Sequence, residues 1–132
     1  MKEKLINLFE KSYSPYSKFR VSAIVVMNDG TEFTGVNVEN ASYGASICAE
    51  RVAILKAVSE GYRKGDFKEL HVCCDSDKIS SCCFMCRQVI TEFFNKDSKI
   101  VLYNNQGDTE EYTVSELCPK PFDEEDLRWR LE

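Results

Sequence analysis

Two short segments carry the side chains best suited to metal chemistry. Cys83 and Cys86 are three residues apart, so at the start of a helix both sulfurs fall on one face. There they can bind one tetrahedral zinc ion, with Cys48 as the third ligand. Glu50 follows Cys48 by two residues, which places a carboxylate beside the open position of the ion without making it a ligand. These residues predict a zinc site that activates water.

A closed structural zinc site fits the CxxC spacing equally well. Its fourth thiolate would come from Cys82, Cys73, Cys74 or Cys118. The nearby Glu50 favours catalysis, because a structural site has no use for a carboxylate. Arg51 and Arg87 each follow one of these site residues, and we expect them to donate hydrogen bonds to the sulfurs and offset the charge of three thiolates.

The composition predicts a single globular domain spanning residues 1–132, with 43% hydrophobic and 30% charged residues. A net charge of −5 disfavours nucleic-acid binding, because it removes long-range attraction to phosphates. No apolar run approaches the roughly 18 residues of a membrane helix, and the N-terminus lacks the apolar block of a signal peptide. The seven cysteines are therefore expected to be reduced thiols in a cytoplasmic protein.

Hydrophobic periodicity and turn residues predict the elements that must position the site. In chain order, they are an amphipathic helix ending near Ser14-Pro15, a strand at 21–27, the turn Asn28-Asp29-Gly30, a strand within 32–38, a helix after Cys48 stopped by Gly61, a strand at 70–74, a helix opened by Cys83 and running to Asn95, strands at 100–103 and 111–114, and a helix from Asp123 that includes Trp129. The two strands that flank the turn are expected to be antiparallel neighbours. This order predicts an α/β fold, with a mixed five-stranded sheet flanked by helices.

Other candidate binding residues lie outside the two cysteine segments. Asn37 and Glu39 alternate with apolar residues at a strand end, so both are expected to project from one face. From the pattern alone, two solvated residues at a sheet edge are the simpler interpretation. Phe19, just before the first strand, is placed to stack on an aromatic ligand or to pack in the core. His71, in an apolar strand, is interpreted as a packed residue.

Four ordered motifs resemble the short, homotetrameric cytidine deaminases. They are Tyr13-Ser14-Pro15-Tyr16-Ser17-Lys18-Phe19, the loop from Gly35 to Gly44, Cys48-Ala49-Glu50-Arg51, and Cys83-x-x-Cys86-Arg87-Gln88. The resemblance extends from Tyr13 to about Leu127. It implies a three-layer α/β/α fold, one Zn²⁺ per subunit held by Cys48, Cys83 and Cys86, and a nucleoside as the substrate. The implied reaction is hydrolysis of cytidine and 2′-deoxycytidine to uridine and 2′-deoxyuridine in pyrimidine salvage.

The same resemblance assigns roles to the site residues. Glu50 is implied to take a proton from the water and pass it to the pyrimidine N3 and then to the leaving ammonia. The other implied roles are ribose binding by Asn37 and Glu39, base stacking by Phe19, contact of the Ala49 amide with the base carbonyl, acceptance of the amino group by the Ser81 carbonyl, charge neutralisation by Arg51, and insertion of Phe122 into the active site of a neighbouring subunit. The active sites of such a homotetramer lie at subunit interfaces.

The chain departs from this family around its second ligand. Where the family has Pro-Cys-Gly, this chain has Cys82-Cys83-Phe84. The change frees the backbone before the ligand, adds a thiol, and places a large side chain that could narrow the pocket or alter a subunit contact. Two alternatives follow: a deaminase of another aminopyrimidine nucleoside, as in the related blasticidin S deaminases, and a non-catalytic, zinc-stapled protein of deaminase fold.

Overall fold

Five strands form one mixed sheet in the computed structural model, which describes residues 1–128. The strands are β1 (Val21–Met27), β2 (Glu32–Val36), β3 (Phe67–Cys74), β4 (Phe94–Tyr103) and β5 (Thr109–Thr113). Their order across the sheet is β2-β1-β3-β4-β5. The β3–β4 pair is parallel and the other three pairs are antiparallel. The predicted mixed five-stranded sheet is confirmed, as is the antiparallel pairing of β1 with β2.

Helices cover both faces of this sheet. They are α1 (Lys2–Asn7), continued by a 3₁₀ turn over Leu8–Lys11, α2 (Ala49–Ser59), α3 (Phe84–Phe93) and α4 (Val114–Leu117), with further 3₁₀ turns at Tyr43–Ala45 and Glu124–Leu127. Alternate β1 residues divide the core: Ala23 packs with α2 and α3, while Ile24 packs with Leu5 of α1. The predicted α/β/α layering is therefore confirmed.

Gly35 explains how closely α2 packs on the sheet. A Cβ atom at this position of β2 would lie 2.3 Å from the Ala49 carbonyl oxygen and 2.6 Å from the Ala53 amide nitrogen. Both are backbone atoms of α2, so only a glycine allows this approach. The contact fixes the first turns of α2, which follow Cys48 directly.

The predicted end of the first helix is wrong, because a distant backbone group competes for the hydrogen bonds of the chain. The first helix ends at Lys11, and the Tyr13 amide then donates to the Asn37 carbonyl at 3.0 Å. β2 lies within its predicted range of 32–38, and it ends at Val36 because the Val38 backbone pairs with Ile47.

The C-terminal half differs from prediction in several places, including β3 and β4, which begin at Phe67 and Phe94 rather than at 70 and 100. α3 ends at Phe93, since the chain enters β4 at once. The short α4 begins at Val114, the last residue of a predicted strand, and Thr113 and Glu116 form a capping box at its start. Asp123 caps a short 3₁₀ turn, as its position predicted for a helix, while Trp129 lies outside the described residues. None of the helices within residues 1–128 combines the length and apolar character needed to cross a membrane.

Candidate active site

The N-termini of two helices, α2 and α3, lie close together. Cys48 is the residue before α2, and Cys83 is the residue before α3. Both have extended backbone conformations, with ψ angles of 154° and 164°. The Cys83 sulfur also accepts a hydrogen bond from the Cys86 amide at 3.4 Å. The positive ends of the two helix dipoles thus face this cluster and can stabilise negative charge there.

The three sulfurs have the spacing of a tetrahedral metal site. The Sγ atoms of Cys48, Cys83 and Cys86 all lie within 4.8 Å of one another. The Cys48–Cys83 distance is 3.6 Å and the Cys83–Cys86 distance is 3.3 Å. Bonds of about 2.3 Å to a tetrahedral zinc ion separate two sulfurs by about 3.8 Å. The donor set therefore fits zinc.

The closed four-cysteine alternative receives no support from the positions of the other thiols. Among residues 1–128, the sulfur cluster comprises only Cys48, Cys83 and Cys86. Cys82 lies in the core beside α2 and is 3% exposed. Cys73 packs against α1 on the opposite face of the sheet. A three-thiolate site leaves one tetrahedral position for water or substrate.

Cys48 and Cys86 affect each other's ionisation. A hydrogen bond from Cys86 and the adjacent Arg51 lower the pKa of Cys48 well below its usual value. The Cys48 thiolate in turn raises the pKa of Cys86, and burial adds to this effect. Cys48 is therefore the thiol of the pair that ionises first.

Arg51 lies against this cluster, one turn into α2. Its Nη2 atom is 3.7 Å from the Cys48 sulfur, and its buried Nε has no hydrogen-bond partner among the described residues. Burial would lower the pKa of Arg51, but hydrogen bonds to Cys48 and Cys86 raise it overall. The side chain is placed to offset the negative charge of the thiolates.

The prediction that Arg87 contacts the sulfurs is wrong. Its guanidinium donates instead to the Cys82 and Leu117 carbonyls and to the Ser81 hydroxyl. The reason is geometric: on a helix, neighbouring residues do not share a face, so Arg87 points away from the site to which Cys86 points.

Glu50 is the carboxylate of the site. It lies in the first turn of α2 and is only 4% exposed. Burial raises the pKa of Glu50, and the charge of Cys48 raises it further. A carboxylate with a raised pKa is suited to accept and return a proton near neutral pH.

A pocket of about 200 Å³ opens in front of these residues. The predicted residues that line it are Phe19, Asn37, Cys48, Ala49, Glu50, Ser81 and Cys83. The pocket also uses Val21, Val72, Cys74 and Ser80, which were not predicted. The alternation of β1 and β3 offered a signal for the first three, because side chains two apart in a strand share a face. The fully buried Cys86 lies behind this lining.

Asn37 is held rigidly at the pocket wall. Its Oδ1 accepts hydrogen bonds from the Val21 amide at 2.9 Å and the Ser12 hydroxyl at 2.5 Å. Its Nδ2 donates to the Phe19 carbonyl at 2.8 Å. The interpretation of Asn37 as a solvated edge residue is therefore wrong.

Glu39 and Phe122 are not brought into the pocket of this chain. The Glu39 carboxylate accepts hydrogen bonds from the amides of Tyr16 and Ser17 and from the Ser17 hydroxyl. The hydroxyl bond is the main cause of the lowered pKa of Glu39. Phe122 is 58% exposed, and its carbonyl accepts from Gln88 Nε2 at 2.6 Å.

The Phe84 side chain does not line the pocket in this chain. It is 77% exposed, and the Arg87 guanidinium carbon lies 4.5 Å from its ring centroid. Phe84 therefore presents an apolar ring outward, beside the exposed Cys83, rather than narrowing the pocket.

Comparisons with known proteins agree with this site. Residues 1–103 match the family model described as the cytidine and deoxycytidylate deaminase zinc-binding region. A cytidine deaminase of Sporosarcina psychrophila is 47% identical and covers 93% of this chain and 89% of the relative. That of Halalkalibacterium halodurans is 48% identical and covers 89% and 88%.

A solved structure extends the agreement to the fold. The crystal structure of cytidine deaminase from Burkholderia pseudomallei superimposes with a TM-score of 0.87, at 42% identity, covering 91% of this chain and 94% of that chain. The sulfur cluster, the buried carboxylate and the three-layer fold therefore have one explanation: the chain belongs to the zinc-dependent cytidine and deoxycytidylate deaminase family.

Proposed function

We propose that this chain catalyses the hydrolytic deamination of cytidine and 2′-deoxycytidine. Water replaces the amino group at C4 of the base, giving uridine or 2′-deoxyuridine and ammonia. The observation that carries the proposal is the placement of the buried Glu50 with Cys48 and Cys83 in one pocket. The relatives at 47% and 48% identity, both named cytidine deaminase, support the same reaction.

The catalytic step requires a held water molecule and a proton carrier. When bound by Cys48, Cys83 and Cys86, zinc supplies the Lewis acidity that makes water nucleophilic near neutral pH. Glu50 accepts the proton that this water loses. It then donates that proton to N3 of the base, and it carries the second proton of the water to the departing ammonia. Its burial excludes bulk water from the proton path.

The pocket wall supplies groups for each part of the substrate. In the proposal, Phe19 stacks on the base, the Ala49 amide donates to the base carbonyl, and the Ser81 carbonyl accepts from the amino group. Asn37 contacts the ribose, and the three hydrogen bonds that hold it reduce the entropy lost on binding. Glu39 does not line the pocket of the free chain; in the proposal it reaches the ribose from its anchored position beside Tyr16 and Ser17.

The direct test is the loss of ultraviolet absorbance as cytidine becomes uridine. Zinc-loaded protein is expected to deaminate both nucleosides, and Glu50→Gln is expected to lower kcat by about 10²–10⁴-fold while retaining zinc. A panel that includes blasticidin S separates the proposed substrates from another aminopyrimidine nucleoside. Zinc-loaded protein that is inert on every free nucleoside would contradict the proposal.

X-ray absorption tests the non-catalytic alternative. The proposed site gives three sulfurs and one light atom around the metal, whereas a structural site gives four sulfurs.

We further propose a homotetramer with one zinc ion per subunit, in which Phe122 enters the active site of a neighbour. The exposed apolar side chains Phe84, Met85 and Phe122 support an interface on this side of the molecule. Mixing subunits of two inactive variants, Glu50→Gln and Phe122→Ala, is expected to restore activity, because some shared sites then contain both native residues. No restoration in mixed tetramers would mean that Phe122 acts within its own chain.

We also propose a compartment and a metabolic role for this enzyme. The thiol-based metal site supports a cytoplasmic location, where cysteines stay reduced. The acidic charge balance supports action on free nucleosides rather than on nucleic acid. We therefore propose a single-domain enzyme of pyrimidine salvage.

A further inference from the structure

Arg87 binds three groups from two separate segments. Its Nε donates to the Cys82 carbonyl, its Nη2 to the Ser81 hydroxyl and its Nη1 to the Leu117 carbonyl, each at 2.8 Å. The three bonds use all three nitrogens of the planar guanidinium. Lysine has a single nitrogen and cannot reproduce this arrangement.

The segment that Arg87 binds is part of the active site. Residues 80–83 belong to no helix or strand, so a regular ladder of backbone hydrogen bonds does not fix their position. Ser81 and Cys83 both line the pocket. Between them, the buried Cys82 presents its carbonyl to Arg87.

The anchor points of Arg87 are themselves well held. Arg87 lies in the first turns of α3, next to the buried Cys86. Leu117 ends α4, which packs on the sheet through the buried Val114 and Leu117. Arg87 therefore ties an irregular loop to two elements of the core.

We propose that Arg87 is a positioning residue for this reaction: its three hydrogen bonds fix residues 81–83, so that Ser81 is aligned with the substrate and Cys83 with the metal. The substrate half of this inference rests on the proposed deaminase function, whereas the metal half does not. Arg87 itself contacts neither the sulfurs nor the pocket.

The test compares Arg87→Met and Arg87→Lys with a matched control, Arg63→Met. Arg63 also donates two hydrogen bonds to backbone carbonyls, those of Val58 and Tyr62, but it lies beyond the C-terminal end of α2. Two measurements are made on folded, zinc-loaded protein: the rate of zinc transfer to a coloured chelator, and KM for cytidine. Neither depends on the fraction of protein that folds.

Arg87→Met is expected to accelerate zinc release and to raise KM, each by about tenfold or more. Removing a group that supports a metal ligand commonly weakens metal binding or activity by about 10–100-fold. Arg87→Lys is expected to show a smaller change in the same direction, and Arg63→Met no change. If Arg87→Met does not fold, the lysine variant decides the matter.

Unchanged zinc release and KM in the folded Arg87 variants would overturn the proposal and leave Arg87 with a purely structural role. Wild-type protein that does not deaminate cytidine would refute the proposed function instead, and zinc release would still test the metal half.

Discussion

The Arg51 guanidinium lies 3.7 Å from the Cys48 sulfur, one helical turn away on α2. Cys48 directly precedes α2 and Arg51 lies in its first turn, so the ligand and its counter-charge are held together by one short stretch of backbone. Three thiolates on a divalent zinc ion leave a net charge of about −1, which makes a bound water less acidic. The positive charge of Arg51, beside the site, partly offsets this negative charge.

Replacing Arg51 with glutamine is expected to lower zinc affinity by about 10–100-fold, because the thiolates lose their charged hydrogen-bond donor. Competition with a chelator of known affinity measures the change. Arg51→Lys keeps the charge and is expected to lose less. Wild-type affinity in the glutamine variant would show that the charge of Arg51 does not act on the thiolates.

Replacing Gly35 with alanine is expected to destabilise the fold and the site together. The added Cβ meets backbone atoms of Ala49 and Ala53 at 2.3 and 2.6 Å, so α2 must shift. Overpacking of this kind costs about 1–3 kcal/mol of unfolding free energy. Urea unfolding of the zinc-loaded protein gives the loss, and chelator competition reports the displaced Cys48.

Gly44→Ala is the matched control for this substitution. A Cβ at Gly44 has no atom within 4 Å and the residue has no positive φ, so both measurements are expected to stay unchanged. A Gly35 variant as stable as this control would mean that α2 is not pinned at Gly35.

Asn37→Ala is expected to reduce both stability and substrate binding. Removing the side chain leaves the Val21 amide and the Phe19 carbonyl without these partners, which costs about 1–3 kcal/mol where such groups are buried. KM for cytidine is expected to rise more than kcat falls, because the ribose contact is made in both ground and transition states. A fall in kcat at constant KM would contradict the ribose role.

Acid is expected to weaken the fold through Glu69. The His71 hydrogen bond, with a contribution from Lys99, lowers the pKa of Glu69 below its usual value. A depressed carboxyl pKa stabilises the native state above the unfolded pKa of about 4.3, and that stabilisation is lost as pH falls through the folded pKa.

Glu69→Gln is therefore expected to be less stable than wild type at pH 6, with the difference shrinking below about pH 4. Thermal unfolding across this range measures it. Glu32→Gln, which removes an exposed ion pair with Lys4, provides the control and is expected to change stability little. An equal difference between Glu69→Gln and wild type at both pH values would exclude a charge-dependent contribution.

The metal ligands and the catalytic carboxylate could be predicted from the sequence, but the hydrogen bonds that hold the surrounding residues could not. Cys48, Glu50, Cys83 and Cys86 were identified from local spacing, since ligands on two helix starts leave a short-range pattern. The partners of Arg87 were missed, because one of them, Leu117, lies 30 positions away and is recognised through its backbone. Asn37 was missed as a hydrogen-bonded anchor for the same reason, since its partners Ser12 and Phe19 lie 25 and 18 positions away.

The predicted ends of helices and strands are wrong where one element passes directly into the next. α3 becomes β4 between Phe93 and Phe94 without a turn residue. α4 begins within a stretch whose β-branched residues favour strand, and the capping box of Thr113 and Glu116 decides the outcome.

The spacing of the ligands along the chain also makes the bound metal a cross-link of the tertiary structure. Cys48 and Cys83 are 35 positions apart, and the chain between them contains α2 and β3. Joining them through one ion closes a loop whose entropy in the unfolded chain is worth about 4 kcal/mol by the cross-link model. The same three sulfurs then hold the catalytic metal and cross-link the tertiary structure. Loss of zinc would therefore destabilise the protein and promote its degradation, as well as leave it inactive.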